Sequence, residues 1–218
     1  MDYTELKQAI ANWVDYSFDD ARIPVFISLA EAKMNRLIKT LEMSCAAQAT
    51  GDGERTAFDL PADWAGARQI TVGEIPATYL TPSSFDLALT QLYPPQVAEP
   101  TETVSTPHGW VYTLSAASAT PGAPGGIKLR VAPVVPEGVG ISMDYYRRVP
   151  PLSDAAPTNW MLEDNEDVYL QGSLSFAYGS AMDERRADWY NTRFEKSLNE
   201  VHLDDWRRRA ANTDTYKK

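Results

Sequence analysis

Four carboxylates crowd the run Glu163-Asp164-Asn165-Glu166-Asp167. Such a run offers two chemistries: a hard cation held by oxygen ligands, or an acid paired with its conjugate base. Calcium loops alternate their oxygen ligands and place a glycine at a fixed position, and this run does neither. A helix N-terminus accounts for it instead, because negative charge there suits the helix macrodipole. The two histidines, His108 and His202, lie far apart, and neither has the partner of an HxxxH or HExxH spacing. The single cysteine, Cys45, excludes an intrachain disulfide and a cysteine-rich zinc site. It reads as a small buried hydrophobe. A GxSxG elbow, a P-loop and a dinucleotide fingerprint are all missing. Thirty acidic residues supply many carboxylate pairs, but no spacing singles one out for glycoside hydrolysis. The expectation is a protein without catalytic residues, metal or cofactor.

Binding is the chemistry left. Trp206-Arg207-Arg208-Arg209 and Tyr216-Lys217-Lys218 place five of the twenty basic residues within twelve positions. One reading is a solvated, frayed terminus. The other is a tail that docks into an acidic partner, since aromatic residues favour interface cores. Upstream, Tyr145-Tyr146-Arg147-Arg148 ends at a double proline, Pro150-Pro151. Aromatics placed beside prolines and loops, Tyr145, Tyr146 and Trp160 among them, fit a partner surface as well as a core. The candidate partner-contact residues are therefore Tyr145, Tyr146, Arg147, Arg148, Trp206, Arg207, Arg208, Arg209 and Tyr216.

These residues need a folded frame, and composition allows one. The chain has 218 residues, 44% hydrophobic and 23% charged, within the range of folded soluble proteins. Its net charge of -10 repels phosphate, whereas sequence-independent DNA binding needs an excess of Lys and Arg. The same charge suits a channel through which DNA slides without sticking. The start, Met1-Asp2-Tyr3-Thr4-Glu5, has neither the basic nor the apolar region of a secretory signal. No window approaches the ~20 apolar residues that span a bilayer. No membrane association is expected, and synthesis in a cytoplasm is.

The positioning elements follow from periodicity. Asp2 and Glu5 form a capping pair, with Leu6, Ile10 and Trp13 at helical spacing. After a break at residues 16–20, Pro24 sits in a first helical turn. Ile23, Phe26, Ile27, Ala30, Met34, Leu37 and Leu41 make one stripe, with Glu31, Lys33, Arg36 and Lys39 mostly off it. The middle reads as strands and loops. Gly51-Asp52-Gly53 predicts a hairpin turn between two short extended runs. Strands are predicted at 69–72, 78–80, 110–114, 127–131 and 139–147, and a small helix at 84–92 carries Phe85, Leu89 and Leu92 on one side. Ile141, Met143 and Tyr145 alternate with Ser142, Asp144 and Tyr146. Pro94–Pro107 is a long loop, and 119–126 has turn composition. Helix returns with Leu170, Leu174, Ala177 and Ala181, then with Tyr190, Phe194, Leu198 and Val201 after Asp183.

Two patches resemble the head-to-tail connector adaptor proteins of tailed bacteriophages. One runs from Ile23-Pro24-Val25-Phe26-Ile27 through Ala30-Glu31 to Arg36-Leu37, with Met43 beyond. The other is Tyr145-Tyr146-Arg147-Arg148, Pro151-Leu152-Ser153, Asn159-Trp160, Asp167, Tyr169-Leu170, Gly172 and Leu174, ending near Asp183 and Trp189. The β-rich middle and the loop Pro94–Pro107 match no pattern of the family.

The resemblance implies an α+β fold: a helical bundle from N- and C-terminal helices with an inserted antiparallel β module. The expected division is 1–41 and 149–206 for the bundle, 42–148 for the module and 207–218 for a basic tail. It also implies a virion protein of the neck, assembled in the host cytoplasm. Copies would form a ring, twelve by the portal's symmetry, docked on the portal protein and followed by a tail or connector protein. At -10 per copy such a ring gathers roughly 120 negative charges around passing DNA. A tail-completion or tail-tube-terminator component is the alternative within virion proteins. A tail-associated hydrolase or carbohydrate-binding module is the alternative from another class.

Overall fold

A computed structural model describes residues 1–14, 20–91, 109–116 and 126–213. Residues 16–19 of the predicted break at 16–20, the loop Pro94–Pro107, most of the turn at 119–126, His108 and Tyr216 lie outside the described residues. The fold is α+β. The chain divides into two compact units: Met1–Met43 with Arg148–Lys218, and Ser44–Arg147, against an expected insertion of 42–148.

The first unit is helical. It contains α1 (Tyr3–Trp13), α2 (Ile23–Leu37), α4 (Trp160–Asp164), α5 (Glu166–Ser180) and α6 (Glu184–Thr213). Asp2 and Glu5 close a full capping box on α1, satisfying donors that have no intrahelical partner. Pro24 stands in the first turn of α2, where its missing N–H breaks no hydrogen bond. α5 touches α1, α2, α4 and α6, and it is buried from Val168 to Tyr178 on nearly every side. The predicted single stripe of Leu170, Leu174, Ala177 and Ala181 is therefore too narrow: a helix enclosed by four others buries more than one face. Gly172 makes that enclosure fit. A Cβ there would lie 2.8 Å from the Phe194 ring and 3.0 Å from Ala30 Cβ.

The stripe on α2 holds for Ile23, Phe26, Ile27, Ala30 and Met34, while Leu37 is exposed. Glu31, expected off the stripe, is buried. Trp13 also departs from expectation, since Leu6 and Ile10 face the core and it does not. The predicted tail from 207 is helix instead, because α6 continues through Arg207, Arg208 and Arg209 to Thr213. Good helix formers and the pairs Asp204–Arg208 and Asp205–Arg209 four residues apart favour its extension.

The second unit carries two four-stranded sheets and one helix. Its strands are β1 (Ser44–Thr50), β2 (Ala57–Asp59), β3 (Trp64–Val72), β4 (Ile75–Pro76), β5 (Thr78–Tyr79), β6 (Val111–Ala116), β7 (Ile127–Ala132) and β8 (Gly140–Arg147). One sheet has the order β1-β8-β3-β4, the other β2-β7-β6-β5. Ile70, Val72, Ile141, Met143 and Tyr145 from the first share a core with Leu129 and Val131 from the second. Helix α3 (Pro82–Gln91) seats Phe85 beside Val111 and Ala132. The pairings are antiparallel except β5 with β6, which is parallel.

The predicted hairpin at Gly51–Gly53 does not form. β1 pairs with β8 and β2 with β7, in different sheets. The turn is instead held by the 135–139 segment: Gly51 N–H donates to Val139 O, and Gly53 N–H to Val135 O. Asp52 Oδ1 accepts from the backbone N–H groups of Glu54 and Arg55 at the same turn.

Candidate partner-binding surface

The first patch of the sequence signature holds the second. Pro150 and Pro151 have no N–H, so their neighbours must satisfy the local backbone donors. Val149 N–H donates to Asn35 Oδ1 and Leu152 N–H to Glu31 Oε1, both at 2.8 Å. Glu31 and Asn35 are four residues apart and therefore neighbours on α2. Asn159 completes the bracket. Its Nδ2 donates to Pro150 O at 2.6 Å and to Tyr169 Oη at 2.7 Å, and its Oδ1 accepts from Leu162 N–H at 2.9 Å as the N-cap of α4. Tyr169 in turn donates to Glu31 at 3.2 Å. Burial pushes the Glu31 carboxyl above its ordinary range, partly offset by its hydrogen bonds from Leu152 and Tyr169. Burial, and then the nearby Glu31 charge, pushes the Tyr169 phenol well up.

A second bracket grips the segment after α2. Asp205 is buried and accepts from Leu41 N–H at 2.8 Å. Arg209 pairs with Asp205 at 2.6 Å and reaches the Lys39 carbonyl at 3.5 Å. Arg208 pairs with Glu42 at 2.7 Å and with Asp204 at 3.4 Å. Burial, and then the charge of Arg148, pushes the Lys39 ammonium down.

The structure separates the nine predicted contact residues. Tyr145 is only 4% exposed and donates its hydroxyl to Asp63 at 3.0 Å, so it belongs to the β-unit core. Burial and that acceptor push its phenol up. Tyr146 is half-buried beneath the Arg68 guanidinium. Arg147 is half-buried, and its Nε has no hydrogen-bond partner among the described residues. Arg148 is exposed. Trp206 is 63% exposed, and Arg207 is exposed with a loose 3.9 Å pairing to Asp204. Arg208 and Arg209 are committed to their own unit.

Two surfaces lie on the helical unit; the first includes Arg207 and Arg208 of the predicted contact residues, and the second includes none of them. A groove of about 670 Å³ runs beside α6, lined by six carboxylates, two guanidiniums and Trp160. Asp164, Asp167, Glu200 and Asp204 are exposed in it. Where α6 begins, Trp13, Tyr178, Trp189 and Tyr190 gather with Arg185 and Arg186. Tyr178 and Tyr190 stack with centroids 5.4 Å apart, and Trp189 meets Tyr190 edge-on at 4.7 Å. Tyr178 donates its hydroxyl to the Trp13 carbonyl at 2.8 Å. Trp13 and Trp189 are 176 positions apart, so no local pattern announces this cluster.

The acidic run 163–167 spans the end of α4 and the start of α5, and Glu166 and Asp167 lie in the first turn of α5 as read from the sequence. Among the described residues, no group of three His, Cys, Asp or Glu side chains is placed to hold a metal ion. No helix among them is long and apolar enough to cross a membrane.

A comparison with curated proteins finds no match. A family model described as SU10 adaptor protein matches residues 1–216, which takes in both units and both patches of the signature. The chain belongs to this phage adaptor family.

Proposed function

We propose that the chain is the head-to-tail connector adaptor of its virion, docking as a ring on the portal and extending the DNA channel toward the tail. The role is structural rather than catalytic. The observation that carries the reading is the family match across 1–216. The charge is consistent with it: at -10 per copy, twelve copies bring roughly 120 negative charges around the passage, a surface that does not hold DNA. Side-by-side contacts through two different patches close into a ring when the rotation permits. Arg148, Trp206 and Arg207 remain exposed for the portal or a tail protein, whereas Arg208 and Arg209 first serve the fold.

The test is the mass of the purified chain, alone and with portal rings, by light scattering. A chain that becomes portal-bound with one copy per portal subunit supports the proposal. A chain that ignores portal rings overturns it and points to a tail-completion component.

A further inference from the structure

The two sheets of the β unit have four edges, and three of them are blunted. β4 and β5 are two residues long and β4 ends in Pro76, while β2 has three residues and ends in Asp59. Short strands, prolines and charges keep an edge from pairing with another chain. The edge strand β1 has none of these: Ser44–Thr50 is seven residues long, uncharged and free of proline.

The ladder shows which backbone groups of β1 are open. Gly51 N–H donates to Val139 O at 2.9 Å, just beyond the strand. In an antiparallel pair, opposed residues alternate between bonded and non-bonded positions. Cys45, Ala47 and Ala49 therefore bond to β8, and Ser44, Ala46, Gln48 and Thr50 turn their N–H and C=O groups away from it. Ala46, Gln48 and Thr50 are exposed, and among the described residues nothing pairs with this edge. The side chains of Cys45, Ala47 and Ala49 lie half-buried against the core, so a strand added beyond β1 would also cover apolar surface that they leave open.

We propose that the β1 edge of one copy receives Thr101–Thr106 of a neighbouring copy as an added strand. This rests on the ring reading above and identifies one contact between neighbours. The run Thr101-Glu102-Thr103-Val104-Ser105-Thr106 lies outside the described residues. Four of its six residues are β-branched, the type that suits a strand. Pro100 and Pro107 bound it to nearly the length of β1. At ~3.3 Å per residue, the seventeen residues 92–108 can carry it about 25 Å from the ends of their span. That span leaves α3 and returns to β6, on the sheet that does not contain β1, so edge and segment can serve different neighbours. Each copy offers one of each, and the contact is heterologous and repeats around a ring. Main-chain hydrogen bonds supply the affinity, as when an extended peptide lengthens a sheet.

The experiment reads amide hydrogen exchange, residue by residue, on the full chain, free and assembled on portal rings. In the free chain the N–H groups of Ala46 and Gln48 are expected to exchange fast and those of Cys45, Ala47 and Ala49 slowly. Assembly is expected to slow Ala46, Gln48 and residues within 101–106 about tenfold or more. Assembled rings whose Ala46 and Gln48 amides stay fast overturn the contact and leave the ring reading standing. Slowing at β1 without slowing at 101–106 means another occupant, such as β1 of a second copy, and overturns it as well. Amides already slow in the free chain mean an edge covered within one copy, which also overturns it. A chain that never joins portal rings overturns the ring reading, and the contact falls with it.

A second measurement joins the two halves of the contact. Gln48→Pro removes an outward N–H without breaking a bond to β8, a place where an edge strand tolerates proline, and Val104→Pro removes a donor from the segment. Circular dichroism confirms that each variant is folded, and light scattering reads its assembly on portal rings. Each single variant is expected to weaken assembly about tenfold or more. The double variant is expected to lose no more than either, because both changes break one contact. Losses that multiply in the double variant, or singles that assemble unchanged, overturn the proposal.

Discussion

Glu31 accepts a hydrogen bond from the backbone N–H of Leu152 at 2.8 Å, joining positions 121 apart in the chain. With Asn35 on Val149, it fixes the double proline against α2 by supplying acceptors to the donors on either side. The arrangement gives the sequence signature a physical content. The polar positions of α2 and the stretch from Val149 to Asn159 form one hydrogen-bonded unit, which must be kept or lost together.

Glu31→Gln and Glu31→Leu should separate charge from hydrogen bonding. Glutamine keeps an acceptor oxygen and removes the burial penalty on the anion, so stability at neutral pH should change by less than about 1 kcal/mol. Leucine leaves Leu152 N–H and the Tyr169 hydroxyl without their acceptor and should cost about 2–4 kcal/mol. The folded-state pKa of Glu31 is raised above its ordinary value of 4.5. Its protonation therefore contributes stability that is full below about that pH and is lost as pH rises through the folded value. Denaturant unfolding at several pH values should show the wild type losing stability relative to Glu31→Gln over that window. Parallel profiles would sink the assignment.

Gly172→Ala tests the crowding of α5. Alanine is the better helix former by about 1 kcal/mol, but its Cβ would stand 2.8 Å from the ring of the fully buried Phe194 and 3.0 Å from Ala30 Cβ. Overpacking of this kind costs about 1–3 kcal/mol. A net loss, seen as a lower urea midpoint, is expected. A midpoint that rises would mean that helix propensity outweighs packing here.

Asp205→Ala and Arg207→Ala should differ sharply despite their closeness in sequence. The first strips Leu41 N–H of its acceptor and Arg209 of its counter-ion, a loss of about 2–4 kcal/mol. The second removes an exposed, loosely paired guanidinium and should stay within about 0.5 kcal/mol. Arg207 can thus be changed to probe portal binding without disturbing the fold. Arg208 and Arg209 cannot, since they hold Glu42 and the Lys39 carbonyl. Thermal melts of the two single variants would check the contrast.

Local chemistry was legible in the amino acids. The capping box of Asp2 and Glu5, Pro24 in a first turn, and the alternation of Ile141, Met143 and Tyr145 depend on neighbours within a few positions. That alternation already aligned Tyr145 with Ile141 and Met143. Its place in the core follows from the β period rather than from the prolines beyond it. The α+β class and the adaptor resemblance were readable for the same reason, since stripes and signature run along the chain.

Tertiary structure alone decided the long-range choices. Whether the strands flanking Gly51–Gly53 pair with each other depends on what β7 and β8 offer, and those strands offered better partners. Whether Glu31 is solvated or buried depends on Leu152 and Tyr169. Whether Arg208 and Arg209 are a tail or a clasp depends on Glu42 and Asp205. The Trp13–Trp189 face exists only because α1 and α6 bring together residues from opposite ends of the sequence. Periodicity records which side of an element turns inward; it carries no record of what that side meets.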